Sequence, residues 1–275
     1  MMKQSKILLS QRECLAQDAD KTIPKLSELN IIQRNNLFSV LRVEITHHSN
    51  KIEGVTLDYG ETKKLLEDGI TAFNKPLSDH LITLGFANAY DEILRSSYSN
   101  NQLTSDYIKD IHTLIFDEAL KICPNKVDRP VGAYRKDERY ITGVDFEISN
   151  PILISNHIEN LLFQKTPISI EEIAKFHIDF EKIHPFADGN GRVGRLLMTR
   201  QFIQNDLIPP LIKNDFRKEY IKAMNNIKEL YNFLKLAQIE SYKIIDKNLS
   251  LDQKLKKISD FQPKKAKTND KDIER

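Results

Sequence analysis

Apolar residues recur every three or four positions along most of the chain, the spacing that puts them on one face of an α-helix. Between Gln33 and Lys51 the residues Leu37, Val40, Leu41, Val43 and Ile45 stand among polar neighbours. They predict a helix with a broad apolar face, with Gly54 as its stop. Asp58 to Leu66 predicts a short helix, with Gly69 just beyond it. Leu77 to Leu94 predicts a longer one, built on Leu81, Leu84, Phe86, Ala87, Ala89, Tyr90 and Leu94. Ser105 is the expected cap of a helix that reaches about Leu120 on Ile108, Ile111, Leu114 and Ile115. The period then breaks. Cys123 to Ile148 holds Pro124, Pro130, Gly132 and Gly143, which predict turns. The run Arg139-Tyr140-Ile141-Thr142 has β character, so a hairpin-like loop is expected there.

Helical spacing returns at Asn150-Pro151, a cap followed by a first-turn proline, and runs to Phe163. Ser169 and Glu172 form a capping-box pattern ahead of a helix ending near Ile183. Further helices are expected from about Gly191 to Ile203, after a cap at Asn214 or Asp215, and from Glu229 to Ile245. The pattern is that of an all-α fold, a helical bundle of eight or nine helices.

Composition narrows this picture. With 275 residues, 40% of them hydrophobic, the chain can bury a sizeable core and is not a disordered polymer. Three regions are expected: 1–55 as an N-terminal region, 56–246 as the core domain, and 247–275 as a charged tail. That tail carries nine Lys or Arg and five Asp or Glu with few apolar anchors. A formal net charge of +2 neither demands nucleic acid nor excludes an anionic ligand, and no nucleic-acid recognition pattern accompanies the tail. The only two cysteines, Cys14 and Cys123, argue against a disulfide scaffold and fit a reducing compartment. No signal-peptide pattern opens the chain and no apolar run reaches a membrane span, so the expectation is a cytoplasmic protein with no membrane partner. No Cys/His/Asp spacing resembles a zinc site, and His47, His48, His112 and His177 are not read as ligands.

The most informative stretch is His184-Pro185-Phe186-Ala187-Asp188-Gly189-Asn190-Gly191-Arg192-Val193-Gly194-Arg195. An apolar-faced helix ends at a histidine, a loop with two glycines follows, and a new helix opens with two arginines three residues apart. Glycines let backbone N–H groups approach an anion, and a helix N-terminus adds free donors and a favourable dipole. Arginines can fork onto phosphate oxygens. Asp188 can hold Mg²⁺, which binds through one or two carboxylates plus substrate phosphates. His184 titrates near neutrality and can act as a general base. Two cations in a first turn are unfavourable with the helix dipole, so they need an anion or a carboxylate partner.

This stretch resembles the motif of the Fic family, His-x-Phe-x-(Asp/Glu)-Gly-Asn-Gly-Arg-x-x-Arg, at every fixed position; with the segments below, the likeness covers roughly residues 30–230. The resemblance implies an all-α Fic fold with a small β-hairpin flap, and a protein adenylyltransferase that moves AMP from ATP to a Ser, Thr or Tyr hydroxyl of a target protein. It implies His184 as the base and Asp188 as the holder of Mg²⁺. Gly189, Asn190 and Gly191 would line the anion nest, with Arg192 on the β-phosphate region and Arg195 on the γ-phosphate. Phe186 would anchor the loop in the core.

Two other segments join the resemblance. Gly132 to Gly143 resembles the family's target-docking flap, with Tyr140 and Ile141 clamping an extended target segment by β-augmentation. Ser49-Asn50-Lys51-Ile52-Glu53-Gly54 matches the inhibitory (Ser/Thr)-x-x-x-Glu-(Gly/Asn) pattern. Glu53, with Ser49, would then engage Arg195 and restrain the enzyme from within the chain. The same glutamate suits a water-orienting role in AMP removal, so a deAMPylase or a bifunctional enzyme stays open, as do transfer of another nucleotide and a non-enzymatic regulator. Self-modification and homodimerisation are further expectations of the family likeness.

Overall fold

The computed structural model describes residues 23–99, 101–139, 146–164 and 166–246. Nine α-helices follow one another in these residues: α1 (Ile31–Ile52), α2 (Tyr59–Asp68), α3 (Leu77–Ser97), α4 (Ser105–Ile122), α5 (Ile154–Phe163), α6 (Ile170–Ile183), α7 (Asn190–Gln204), α8 (Arg217–Ala223) and α9 (Ile227–Tyr242). No strand occurs among the described residues. The expected hairpin is absent from its described part, where 131–139 runs as bends and irregular chain; Tyr140 and Ile141 lie outside the described residues. The tail at 247–275 and Cys14 also lie outside them. No helix among the described residues is long and apolar enough to cross a membrane.

Local chemistry explains most helix ends. Asn30 and Gln33 form a reciprocal capping box at α1, and Asp58 and Glu61 form another at α2. Thr104, not Ser105, caps α4: its side chain accepts from Tyr107 N–H at 3.1 Å. Ser169 accepts from Glu172 N–H at α6, but the Glu172 carboxylate takes the N–H of Ile168 rather than that of Ser169, so the expected box is only half closed. Asn150 caps a short 3₁₀ turn, Pro151–Leu153, that leads into α5.

Two hydrophobic clusters share α6 and α7. One gathers Leu37 and Leu41 of α1, Phe86 and Tyr90 of α3, Ile111 and Phe116 of α4, and Phe180, Phe186, Val193 and Leu196. The other gathers Ile173, Ile178, Met198, Phe202, Tyr220, Leu230 and Leu234. α7 lies between them and is buried on nearly every side, which is why its sequence shows no clear polar face. α1 belongs to the first cluster through its length, while Ile52 at its end packs in the second. Arg217 Nε donates to the Ile52 carbonyl at 2.8 Å, and Asn214 N–H donates to His48 Nδ1 at 3.2 Å. These contacts seat the C-terminal turn of α1 against the start of α8.

Candidate active site

α6 stops at His184. Its N–H still closes a helical bond to Phe180 O at 3.0 Å, but its backbone is left-handed, with φ 49° and ψ 60°. A side-chain-bearing residue there is uncommon and needs support from its surroundings. The chain then turns inward. Phe186 is fully buried and stacks on the His112 ring, with centroids 4.0 Å apart and planes 9° apart. Asn190 clamps the turn from the first residue of α7: its Oδ1 accepts from Phe186 N–H and its Nδ2 donates to Phe186 O, both at 2.8 Å. The Asn190 side chain therefore braces the loop instead of facing an anion, and only its main chain is free for the nest.

His112 fixes the other side of the loop. Gly132 N–H donates to its Nδ1 at 3.0 Å, so Nε2 carries the proton and donates to Asp188 O, also at 3.0 Å. Burial holds this imidazole down to about 4, in keeping with one ring nitrogen accepting. Gly189 is left-handed at φ 79°, and a Cβ there would lie 2.5 Å from the Phe116 ring. Glycine is thus required on two counts, backbone and space.

Both motif arginines have carboxylate partners. Arg192 Nη2 meets Asp188 Oδ2 at 2.7 Å and its guanidinium lies over the Phe116 ring at 4.6 Å. Burial raises the Asp188 carboxyl, but Arg192 and the Gly189 N–H outweigh it and hold it below the usual aspartate value. Arg195 Nη2 meets Glu53 Oε1 at 2.7 Å, its Nε donates to Ser49 Oγ at 2.8 Å, and Nη2 also reaches Ser49 O at 3.1 Å. The pair joins residues 142 positions apart. Burial pushes the Glu53 carboxyl up, and Arg195 and Arg192 bring it below its ordinary value. The Glu53 carboxylate oxygen lies only 2.5 Å from where a Cβ of Gly191 would stand. A carboxylate thus sits over the first turn of α7, against the arginine, in the place of an anion at a helix N-terminus.

The His184 ring is half-buried beside this anion position. Burial first, then the Arg135 charge, push it down to about 4, against the Glu181 main chain and the carboxylates of Glu53 and Asp188. At neutral pH it is an unprotonated imidazole, the state a general base needs. Glu181, one turn earlier on α6, is fully enclosed. Its carboxyl lies 4.0 Å from His184 Nδ1 and 4.0 Å from His177 Nε2, and burial raises it to about 8. Gly194 makes room for it: a Cβ there would meet Glu181 Oε1 at 2.7 Å. His177 Nε2 is 2.6 Å from the Tyr220 hydroxyl, and the Tyr220 ring lies 6.0 Å from the Arg195 guanidinium. Arg135, Glu181 and Tyr220 were not singled out by the sequence, and His112 was read there only as a helix residue that is not a ligand. Only Glu181 left a usable signal there, its position three before His184 on a helix.

Among the described residues no group of three His, Cys, Asp or Glu could enclose a metal ion. Asp188 alone, nearly half exposed, fits a cation that completes its shell with substrate phosphates, as Mg²⁺ does. The Glu53 carboxylate lying on Arg195 over the glycine turn is the matching sign of an anion site.

Comparison with known proteins agrees with this geometry. Residues 102–202 match the Fic/DOC family model. A probable protein adenylyltransferase of Aquifex aeolicus is 36% identical over 100 residues, 35% of this chain and 31% of that protein. The protein adenylyltransferase Fic of Aedes aegypti is 27% identical over 183 residues, 65% of this chain and 35% of that protein. The chain thus spans about a third of the length of the curated relatives it matches. Among solved structures, Fic-1 of C. elegans aligns with TM-score 0.70 at 20% identity, over 94% of this chain and 76% of that one. A Fic domain containing signaling protein from Bacteroides thetaiotaomicron gives TM-score 0.69 at 20% identity, over 86% and 98%. The matched Fic/DOC segment, residues 102–202, ends inside α7 and leaves α1 with its Glu53 outside it, and the likeness to the solved Fic structures shows that the chain shares their fold.

Proposed function

We propose that this chain is a protein adenylyltransferase that transfers AMP from ATP to a hydroxyl side chain of another protein, and that Glu53 restrains it. One observation carries the reading: a neutral, half-buried imidazole stands beside an anion position built from a glycine turn, a helix N-terminus and Arg195. In the reaction, the target hydroxyl oxygen bonds to the α-phosphorus of ATP and its proton passes to His184 Nε2. The bond from that phosphorus to the β-phosphate oxygen breaks, and pyrophosphate leaves. Gly189, Gly191 and the free N–H groups of α7 bind the phosphates. Arg192 and Arg195 fork onto the β- and γ-phosphate oxygens once they exchange Asp188 and Glu53 for phosphate. Asp188 is the residue that would hold Mg²⁺, whose charge offsets that of the phosphates.

While Glu53 occupies Arg195, a γ-phosphate cannot take the same guanidinium, so the bound triphosphate is displaced from its productive pose. The carboxylate type and position of Glu53 also suit orienting a water for AMP removal, which is the second reading. Tyr140 and Ile141 are proposed to clamp the target, and a hydroxyl of the chain itself is a further acceptor. The low cysteine count fits a cytoplasmic setting, and homodimerisation is in keeping with the family. The experiment is His184→Ala measured for both binding and transfer. ATP affinity should stay within a few-fold of wild type while transfer disappears; transfer at the wild-type rate would remove His184 from the mechanism.

A further inference from the structure

Arg135 stands outside the motif and is one of the most completely enclosed large side chains, at 1% exposure. Among the described residues no carboxylate lies within hydrogen-bond distance of it. Each arm of its guanidinium is met instead by a main-chain carbonyl: Nε donates to His184 O at 2.8 Å, Nη1 to Asp137 O at 2.6 Å, and Nη2 to Ser149 O at 2.5 Å. Its own N–H donates to Pro185 O at 2.8 Å. Ser149 is tied in turn to α6, its N–H donating to Lys182 O at 3.0 Å. Arg135 therefore grips both residues at the turn where α6 ends, including the one in the left-handed conformation.

A neutral donor could close one of these bonds. Only a guanidinium reaches three carbonyls in one plane, and a lysine would keep the charge but lose the fork. Among the described residues Asp137 and Glu138 act on this cation only through space, with no carboxylate hydrogen-bonded to it; enclosing it this way is costly, so its retention beside the imidazole calls for a reason beyond loop closure. We propose that Arg135 is a positioning residue for His184: it locks the main chain of the base in its left-handed turn and places a fixed positive charge beside the ring, so that the imidazole stays unprotonated and faces the anion position. This rests on the reading of His184 as the base.

The charged groups that bear on His184 are Arg135, Glu181, Glu53 and Asp188. Those that bear on Arg135 are Asp137, Glu138 and Arg139. Two substitutions separate fork from charge. Arg135→Gln removes both, and Arg135→Lys removes the fork only. The first readout is the titration of the His184 imidazole by ¹⁵N NMR, assigned by its loss in His184→Ala, which needs no turnover. The second is AMP transfer in the Glu53→Gly background across pH, with the KM for ATP.

In Arg135→Gln the His184 titration should move up by about one pH unit, a tenfold gain in proton affinity, and the acid limb of the transfer profile should move with it. In Arg135→Lys the titration should stay within a few tenths of a unit while kcat falls at least tenfold. The KM for ATP should change less than twofold in both. Thermal melts and ATP binding report whether each variant is folded. An unmoved His184 titration in folded Arg135→Gln overturns the proposal, as does an undiminished kcat in folded Arg135→Lys. If the Glu53→Gly parent transfers nothing, the adenylyltransferase reading fails, yet the NMR titration still decides the role of Arg135.

Discussion

Glu181→Gln should make the protein more stable at alkaline pH and leave its stability nearly pH-independent over the range where wild type declines. The Glu181 carboxyl is enclosed, its Oε1 has no hydrogen-bond partner, and burial lifts it from the ordinary 4.5 to about 8. A raised folded-state value means that the folded protein binds a proton the unfolded chain has released. Its contribution is fully present below 4.5 and is lost as pH rises towards 8, at about 1.4 kcal/mol per pH unit. Over the whole window that amounts to at most about 5 kcal/mol, with the opposing pull of Arg195 towards the ionised form already included. Glutamine has the same shape and nothing to ionise, so its amide adds only a constant offset.

The buried histidines act in the opposite direction. His177, held down to about 3, and His184, held down to about 4, contribute stability above 6.5 that is lost as pH falls through their folded values. Subtracting the two proteins isolates Glu181, since both share those histidines together with Arg195, Glu53 and Tyr220. The assay is urea unfolding followed by circular dichroism at half-unit steps from pH 5 to 9. The difference curve should rise in favour of the glutamine variant from pH 5 up to about pH 8 and level off above it. A constant difference across that range would show that Glu181 is ionised when folded, and the burial argument would fail.

Phe186→Ala should cost about 3–5 kcal/mol of unfolding free energy, because the ring is fully buried and stacked on His112; urea midpoints measure it, and a loss under 1 kcal/mol would contradict the anchoring role. Asp188→Asn keeps the side-chain shape but removes the carboxylate that Arg192 holds at 2.7 Å. The gain in ATP affinity on adding Mg²⁺ should shrink at least tenfold, while Mg²⁺-free binding stays equal or improves. Calorimetric titrations with and without Mg²⁺ separate the two, and an undiminished Mg²⁺ effect would place the cation elsewhere.

Which features the sequence revealed follows from the range of the interactions that set them. α2 to α6 and α9 announce themselves because each buries one stripe and keeps the other wet, and caps such as Asp58 and Ser169 act within four residues. The cap of α4 was misplaced by one because Thr104 and Ser105 are chemically equivalent candidates. α7 has no stripe to read, being enclosed between two clusters, and only its motif gave it away. The segment from Gly132 to Arg139 looked like part of a hairpin from its residue types, yet its backbone bonds go to Pro185 and His112 instead of to a strand partner. The Glu53–Arg195 pair was expected only through family likeness, since nothing local links positions 142 apart. Arg135 and His112 left no sequence trace because their partners, His184 and Asp188, lie 49 and 76 residues away.

The central claim is an AMP transfer that needs His184 and is restrained by Glu53. Without Glu53, Arg195 keeps its bonds to Ser49 but loses its carboxylate. A charge-assisted bond of that kind contributes about 1.5–3 kcal/mol, so productive triphosphate binding should rise roughly 10- to 100-fold. The measurement is label transfer to protein from α-³²P-ATP and, separately, γ-³²P-ATP with Mg²⁺, using wild type, Glu53→Gly and Glu53→Gly with His184→Ala, each checked for folding. Strong labelling of protein by Glu53→Gly from the α-label only, weak labelling by wild type and none by the double variant is the predicted result. Equal labelling by wild type and Glu53→Gly, or labelling that survives loss of His184, would contradict it.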